Sequence, residues 1–153
     1  MPGEGQGMGE IVGDNVETVL RLENAWMEHD YGTVREILSP DFADRNHGVG
    51  AEMMPKGGVD GIIEGHEVGR ASYSDRKQEI LDCFGEGDRV VVRMRMTGTN
   101  DGGLPWFGVP ANGNKIDIEY ITIYRLENDK VVESWAQMEI VKLMQQLGVG
   151  GQP

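Results

Sequence analysis

The chain has 153 residues, with 14 Lys+Arg against 26 Asp+Glu and a formal net charge of −12. This length favours one domain with a sizeable core. The acidic balance argues against nucleic acid, whose phosphates need a basic face, and against anionic membrane surfaces. No apolar run approaches the roughly 20 residues of a membrane span, and the start, MPGEGQGMGE, lacks a signal peptide's charged and apolar regions. The single cysteine, Cys83, excludes an internal disulfide framework and suits the reducing cytoplasm, where the protein is expected to reside.

Glycine, 23 of 153 residues, is about twice its usual share of roughly 7%, and it concentrates at the ends. Residues 1–13 are therefore expected to be disordered, 14–147 to form one domain, and 148–153 to be a flexible tail. Asp14 or Asn15 can cap a first helix in which Val16, Val19, Leu20, Glu23, Trp26 and Met27 recur at helical spacing. His29 at its end is placed for a favourable helix-dipole contact. A second helical stretch, Thr33–Leu38, stops at Ser39-Pro40, and a short extended piece over Asp41–Asn46 enters a loop from His47 to Gly58. Val59–Tyr73 reads as a helix weakened by Gly61, Gly65 and Gly69. Strands follow at Lys77–Phe84, Arg89–Thr97, Lys115–Arg125 and Lys130–Trp135, with turn signals at Gly85–Asp88, Asp101-Gly102, Asn112-Gly113 and Asn128-Asp129. The last element is a helix with an apolar stripe of Ile140, Val141, Met144 and Leu147, closed by Gly148. Helices against one face of a mostly antiparallel sheet make an α+β fold.

Alternation along the strands adds a partner. Val90, Val92, Met94 and Met96 share one face of their strand, as do Ile118, Tyr120, Thr122 and Tyr124 of the next. The opposite face of the latter still carries Ile121 and Ile123 beside Asp117, Glu119 and Arg125. A sheet covered by helices on one side and apolar on the other implies a second subunit, so a homodimer is expected.

The run Gly85-Glu86-Gly87-Asp88-Arg89-Val90-Val91-Val92-Arg93, then Thr97-Gly98-Thr99, Ile121-Thr122-Ile123-Tyr124-Arg125 and Asp129-Lys130-Val131-Val132-Glu133-Ser134-Trp135, resembles the SnoaL-like polyketide cyclase family. That family belongs to the nuclear-transport-factor-two-like superfamily. The resemblance spans about residues 15–147, including Ser39-Pro40-Asp41-Phe42 and Ala71–Asp75. It implies a cone-shaped curved sheet wrapped by helices around a deep, mostly apolar pocket, and cofactor-free proton-transfer chemistry on a hydrophobic carbonyl compound. Polyketide ester cyclases, limonene-epoxide-hydrolase-like and ketosteroid-isomerase-like enzymes share this fold, so fold alone does not assign function.

Carried over residue by residue, the familiar catalytic positions fall on unexpected side chains. The cyclases' acid, which follows the Trp135 position, falls on Ala136, and their polar pair on Tyr120 and Thr122. The Arg and Asp of the epoxide hydrolases fall on Met94 and Met96, and the isomerases' basic Asp near Asn46. Ala and Met cannot hold a proton at working pH. The chemistry left to the pocket is Asp44 as base, with Asn46 and Tyr120 as donors to an enolate oxygen. Trp26, His47, Met94, Met96, Trp106, Thr122, Tyr124 and Gln137 are the expected substrate contacts, His47 also a candidate proton shuttle. The competing readings are a non-catalytic member that binds a hydrophobic ligand or serves as a dimeric interaction module, since every familiar catalytic acid has gone, and an epoxide-hydrolase-like enzyme with a relocated site. The histidines lack metal-ligand spacing, and GxSxG, GxxxxGK[ST] and GxGxxG motifs are absent, so no metal or nucleotide cofactor is expected. The segment Leu104–Pro110, LPWFGVP, is too apolar for an idle loop and is expected to cap the pocket or enter the dimer interface.

Overall fold

In the computed structural model the described residues are 2–45 and 58–149, with side chains from residue 14 onward. Asn46, His47, the loop leading to Gly58 and the end of the tail lie outside them, as do the side chains of residues 1–13. The elements are α1 (Pro2–Glu28), α2 (Tyr31–Ile37), β1 (Leu38–Asp44), α3 (Gly58–Ser72), β2 (Lys77–Glu86), β3 (Arg89–Thr99), β4 (Lys115–Glu127), β5 (Lys130–Met138) and α4 (Ile140–Leu147). A single 3-10 turn, Pro105–Phe107, interrupts the β3–β4 connection. No helix among the described residues is long and apolar enough to cross a membrane.

α1 continues past the expected cap, so neither Asp14 nor Asn15 starts it. The Asn15 amide instead reaches across to the β2–β3 turn and donates to the Gly87 carbonyl at 3.0 Å. Asp30 supplies the cap of α2. Its carboxylate accepts from the Thr33 backbone at 3.1 Å and the Thr33 hydroxyl at 2.6 Å, satisfying a backbone donor the first helical turn leaves unpaired. Asn128 and Asp129, at φ 50° and 64°, make the tight β4–β5 hairpin; the left-handed pair matches the strand twist.

The five strands run in the order β1-β5-β4-β3-β2, antiparallel throughout except for the parallel β1–β5 pair. Register shifts between Ile80 and Asp82 in β2 and between Arg125 and Leu126 in β4 mark bulges, which bend strands and increase their twist. The inner face closes on α1, α2 and α3 through Val19, Leu22, Val34, Ile37, Phe42, Val90, Val92, Met94, Leu126 and Val131. A second cluster at the far end joins Tyr73, Leu104, Val109, Ile116, Ile118, Leu143 and Leu147.

That second cluster bears on two expectations. Leu104 and Val109 are buried in it and pair with each other as an isolated bridge. Leu104 and Val109 therefore anchor the β3–β4 connection to α4, while Trp106 and Phe107 between them are half-buried. On α4 the expected stripe holds at Ile140, Met144 and Leu147, which pack into this cluster; Leu143 is buried with them, whereas Val141 is 68% exposed. The connection is organised by the fully buried Asn100, whose side chain accepts from Gly103 N–H at 2.9 Å and donates to Pro110 O at 3.0 Å and Asn112 Oδ1 at 3.1 Å.

The outer face has a defined apolar row. Phe84, Val91, Ile123 and Trp135 are in register across β2, β3, β4 and β5. Phe84 is 61% exposed, and Ile121, beside the row, is 43% exposed. Ion pairs frame it: Arg93 meets Asp82 at 2.6 Å and Glu119 at 2.7 Å, Arg95 meets Asp117 at 2.7 Å, and Arg125 meets Glu133 at 2.6 Å. The Arg89 guanidinium sits 4.9 Å over the Trp135 ring.

Candidate functional site

Side-chain period along β4 and β5 builds the site. Tyr120, Thr122 and Tyr124 on β4, and Ser134, Ala136 and Met138 on β5, turn inward around a cavity of about 200 Å³. Leu22 and Trp26 of α1, Leu38, Phe42 and Asp44 of β1, and Ile62 of α3 complete its wall. Leu22, Leu38, Phe42 and Tyr124 are buried and form its depth, whereas Asp44 and Met138 are exposed and mark its mouth. The lining is mostly apolar with a few convergent polar groups, the usual composition of a small-molecule site.

The polar groups are specifically connected. The Ser134 hydroxyl is 3.3 Å from Asp44 Oδ1 and donates to it. The Gln78 amide donates to the Tyr120 hydroxyl oxygen at 2.6 Å, which leaves the Tyr120 proton directed elsewhere. Burial pushes the Tyr120 phenol well above its ordinary value, so it stays protonated as a donor. Deeper in, Tyr124 donates to the Glu23 carboxyl, which is only 4% exposed. Burial pushes Glu23 up to about 7, against the opposing effect of the Tyr124 hydrogen bond. The same burial, with the neighbouring Glu23, raises Tyr124.

Of the expected site residues, Asp44, Tyr120, Trp26, Thr122 and Tyr124 face this one cavity. Met94 and Met96 do not line it. Met94 is fully buried in the main core, and Met96 packs against the second cluster. Trp106 is half-buried on the 3-10 turn and is not a wall residue. Gln137 is exposed on the outer face opposite Ile121, because β5 alternation turns Ala136 and Met138 inward instead. Asn46 and His47 lie outside the described residues.

Sequence reasoning passed over Glu23, His66, Arg76 and Gln78. Glu23 had a signal, a carboxyl on an otherwise apolar helical stripe. His66 stacks on Trp26 with ring centroids 4.8 Å apart, and Arg76 Nη2 approaches His66 Nε2 at 3.1 Å. Burial, followed by the Arg76 charge, pushes His66 down to about 4, so the ring is neutral and Nε2 accepts from the guanidinium. His29 is turned toward this group, 3.4 Å from His66, instead of capping α1 by charge; burial and then Arg70 and Arg76 lower it too. His66 and Arg76 come from separate elements and show no pattern along the chain.

The cavity's architecture has clear relatives. The SnoaL-like polyketide cyclase family model matches residues 16–147. A structure from Jannaschia sp. CCS1, provisionally assigned as a SnoaL-like polyketide cyclase, is 27% identical at TM-score 0.77, covering 92% of this chain and 96% of that one. Wild-type IdmH of Streptomyces antibioticus, provisionally assigned as a polyketide cyclase, is 25% identical at TM-score 0.74, covering 88% and 99%. TsrD of Streptomyces laurentii, at 24% identity and TM-score 0.75 over 89% and 96%, shares the fold. No curated protein matches. The helices, the curled five-stranded sheet, the cavity between them and the extent of the match agree: the chain belongs to the SnoaL-like polyketide cyclase family, with its α+β cone.

Proposed function

We propose that the protein is a cofactor-free enzyme of cyclase or isomerase type, acting by proton transfer on a hydrophobic carbonyl compound. The observation that carries this reading is the convergence of Asp44 and Tyr120, from β1 and β4, on one apolar cavity. A carboxylate at the mouth removes a proton from the carbon beside the carbonyl, and the electron pair moves to the carbonyl oxygen. Tyr120 O–H, its oxygen already engaged by Gln78, stabilises the enolate oxygen. In a cyclisation the enolate carbon then attacks a second carbonyl of the same molecule, and Asp44 returns its proton to the new alkoxide. Thr122 adds a hydroxyl on the same face. The cavity of about 200 Å³ is smaller than the roughly 300–1,000 Å³ of drug-sized pockets, which favours a substrate entering by one or two rings.

The test is turnover of polyketide esters, unsaturated ketones and hydrophobic epoxides, followed by chromatography and mass spectrometry, in wild type and Asp44→Asn. Loss of a positioned general base lowers kcat by roughly 10²–10⁴. Undiminished turnover in Asp44→Asn would remove Asp44 from the mechanism. A second reading, ligand binding without chemistry, is favoured by one observation: Ala136 lines the cavity where the cyclases' acid is expected. It predicts tight ligand binding with no conversion across the panel.

The outer apolar row of Phe84, Val91, Ile123 and Trp135, framed by ion pairs, supports a homodimer in which a second copy covers this face. The single, half-buried Cys83 is consistent with a cytoplasmic setting.

A further inference from the structure

Behind the wall of the first cavity lies a second, of about 350 Å³, reached by His29, Arg70, Ser74, Arg76, Lys77 and Gln78. Two pairs separate the spaces. Gln78 lines the second and holds the Tyr120 hydroxyl of the first, while Trp26 of the first stacks on His66, which accepts from Arg76.

Arg76 is unusual in so acidic a chain. Arg21, Arg35, Arg45, Arg93, Arg95 and Arg125 each meet a carboxylate at 2.5–2.9 Å, and Arg70 and Arg89 do so at 3.4 and 3.6 Å. Among the described residues, Arg76 alone of the arginines has no carboxylate within 4.0 Å; its one hydrogen-bond partner there is the neutral His66. The guanidinium is half-buried and partly stripped of water, a cost that an ion pair normally offsets. Its position is set by packing: a Cβ at Gly69 would lie 3.2 Å from Arg76 Nη1, so the bare glycine on α3 gives the fork its room. Of the nearby acids, Glu67 is engaged by Tyr31 and Arg70, and Asp101 is engaged by the Ser74 backbone and hydroxyl. Arg76 and Lys77 thus bring positive charge to the cavity, and among the described residues neither has a carboxylate in ion-pair contact.

We propose that this second cavity binds the oxyanion of a small molecule, a carboxylate or a phosphate, with Arg76 as the principal contact and Arg70 and Lys77 at its rim. The planar fork suits two parallel hydrogen bonds to such a group. The site stands apart from the catalytic reading, because binding alone reports on it.

Isothermal titration calorimetry of the full chain with 3-phenylpropionate, its primary amide and inorganic phosphate tests the assignment. The carboxylate is expected to bind at least tenfold more tightly than the amide. Arg76→Gln is expected to abolish that preference with the unfolding midpoint unchanged, and Arg76→Lys to keep part of it. Arg89→Gln on the outer face should leave it intact. Phosphate binding that is lost in Arg76→Gln assigns the site to a free oxyanion. Arg76-dependent binding of phenylpropionate without phosphate assigns it to a ligand's own carboxylate. Equal affinity for carboxylate and amide, an unchanged preference in Arg76→Gln, or no binding by either anion overturns the proposal.

Discussion

Glu23→Gln isolates the energetic cost of the buried carboxyl against Tyr124. The native state holds the Glu23 proton more tightly than the unfolded chain, since the group rises from 4.5 to about 7 on folding. Its contribution to stability is therefore fully present below about pH 4.5, declines as pH rises, and is gone above about pH 7. At roughly 1.4 kcal/mol per pH unit the difference amounts to about 3 kcal/mol. No discount for solvent is due, because the residue is 4% exposed. Gln keeps the size and the acceptor for Tyr124 O–H but cannot ionise. Wild type and Glu23→Gln should therefore lie within about 1 kcal/mol of each other near pH 5, and the variant should be the more stable by about 3 kcal/mol at pH 8. For a chain of this size that is on the order of 10 °C in Tm. Thermal and urea unfolding from pH 5 to 8.5 measure it. Carboxylates held low by their partners, such as Asp75, Asp101 and Asp117, titrate identically in both proteins and cancel in the difference. Parallel stability curves for the two proteins would refute the reasoning.

Leu143→Ala should cost about 2–5 kcal/mol in urea unfolding, whereas Val141→Ala should stay within about 0.5, because only Leu143 faces the core. Gly102→Ala should cost about 2–3 kcal/mol in the same assay: its Cβ would fall 1.9 Å from the Ala71 carbonyl, and backbone must move. Ile123→Glu, on the exposed row, should convert a dimer to a monomer in sedimentation velocity without lowering the monomer's Tm; a monomeric wild type would refute the dimer. Tyr120→Phe should lower kcat by about 10²–10³ with a smaller change in KM, read in steady-state kinetics.

Much of the fold was legible in the chain because it rests on local patterns. The period of two along β3 and β4 sorted Val90, Val92 and Met94 from Arg93 and Arg95, and the burial follows that division. The Asn128-Asp129 turn and the stop at Gly148 followed from backbone preferences, whereas α2 ends already at Ile37 and Pro40 lies within β1. Asp44, Tyr120 and Thr122 were found together through those periods and the family resemblance. Period alone does not say which set faces inward or where a face stops lining the cavity. The β4–β5 register turned Ala136 inward and Gln137 outward, and depth along β3 left Met94 in core and Met96 at the far cluster. Only tertiary packing decided that Glu23 would be sealed against Tyr124, or that His66 of α3, Arg76 before β2 and Trp26 of α1 would meet. Those groups are tens of residues apart, and desolvation, which sets their charge, depends on what closes over them and not on their neighbours in sequence.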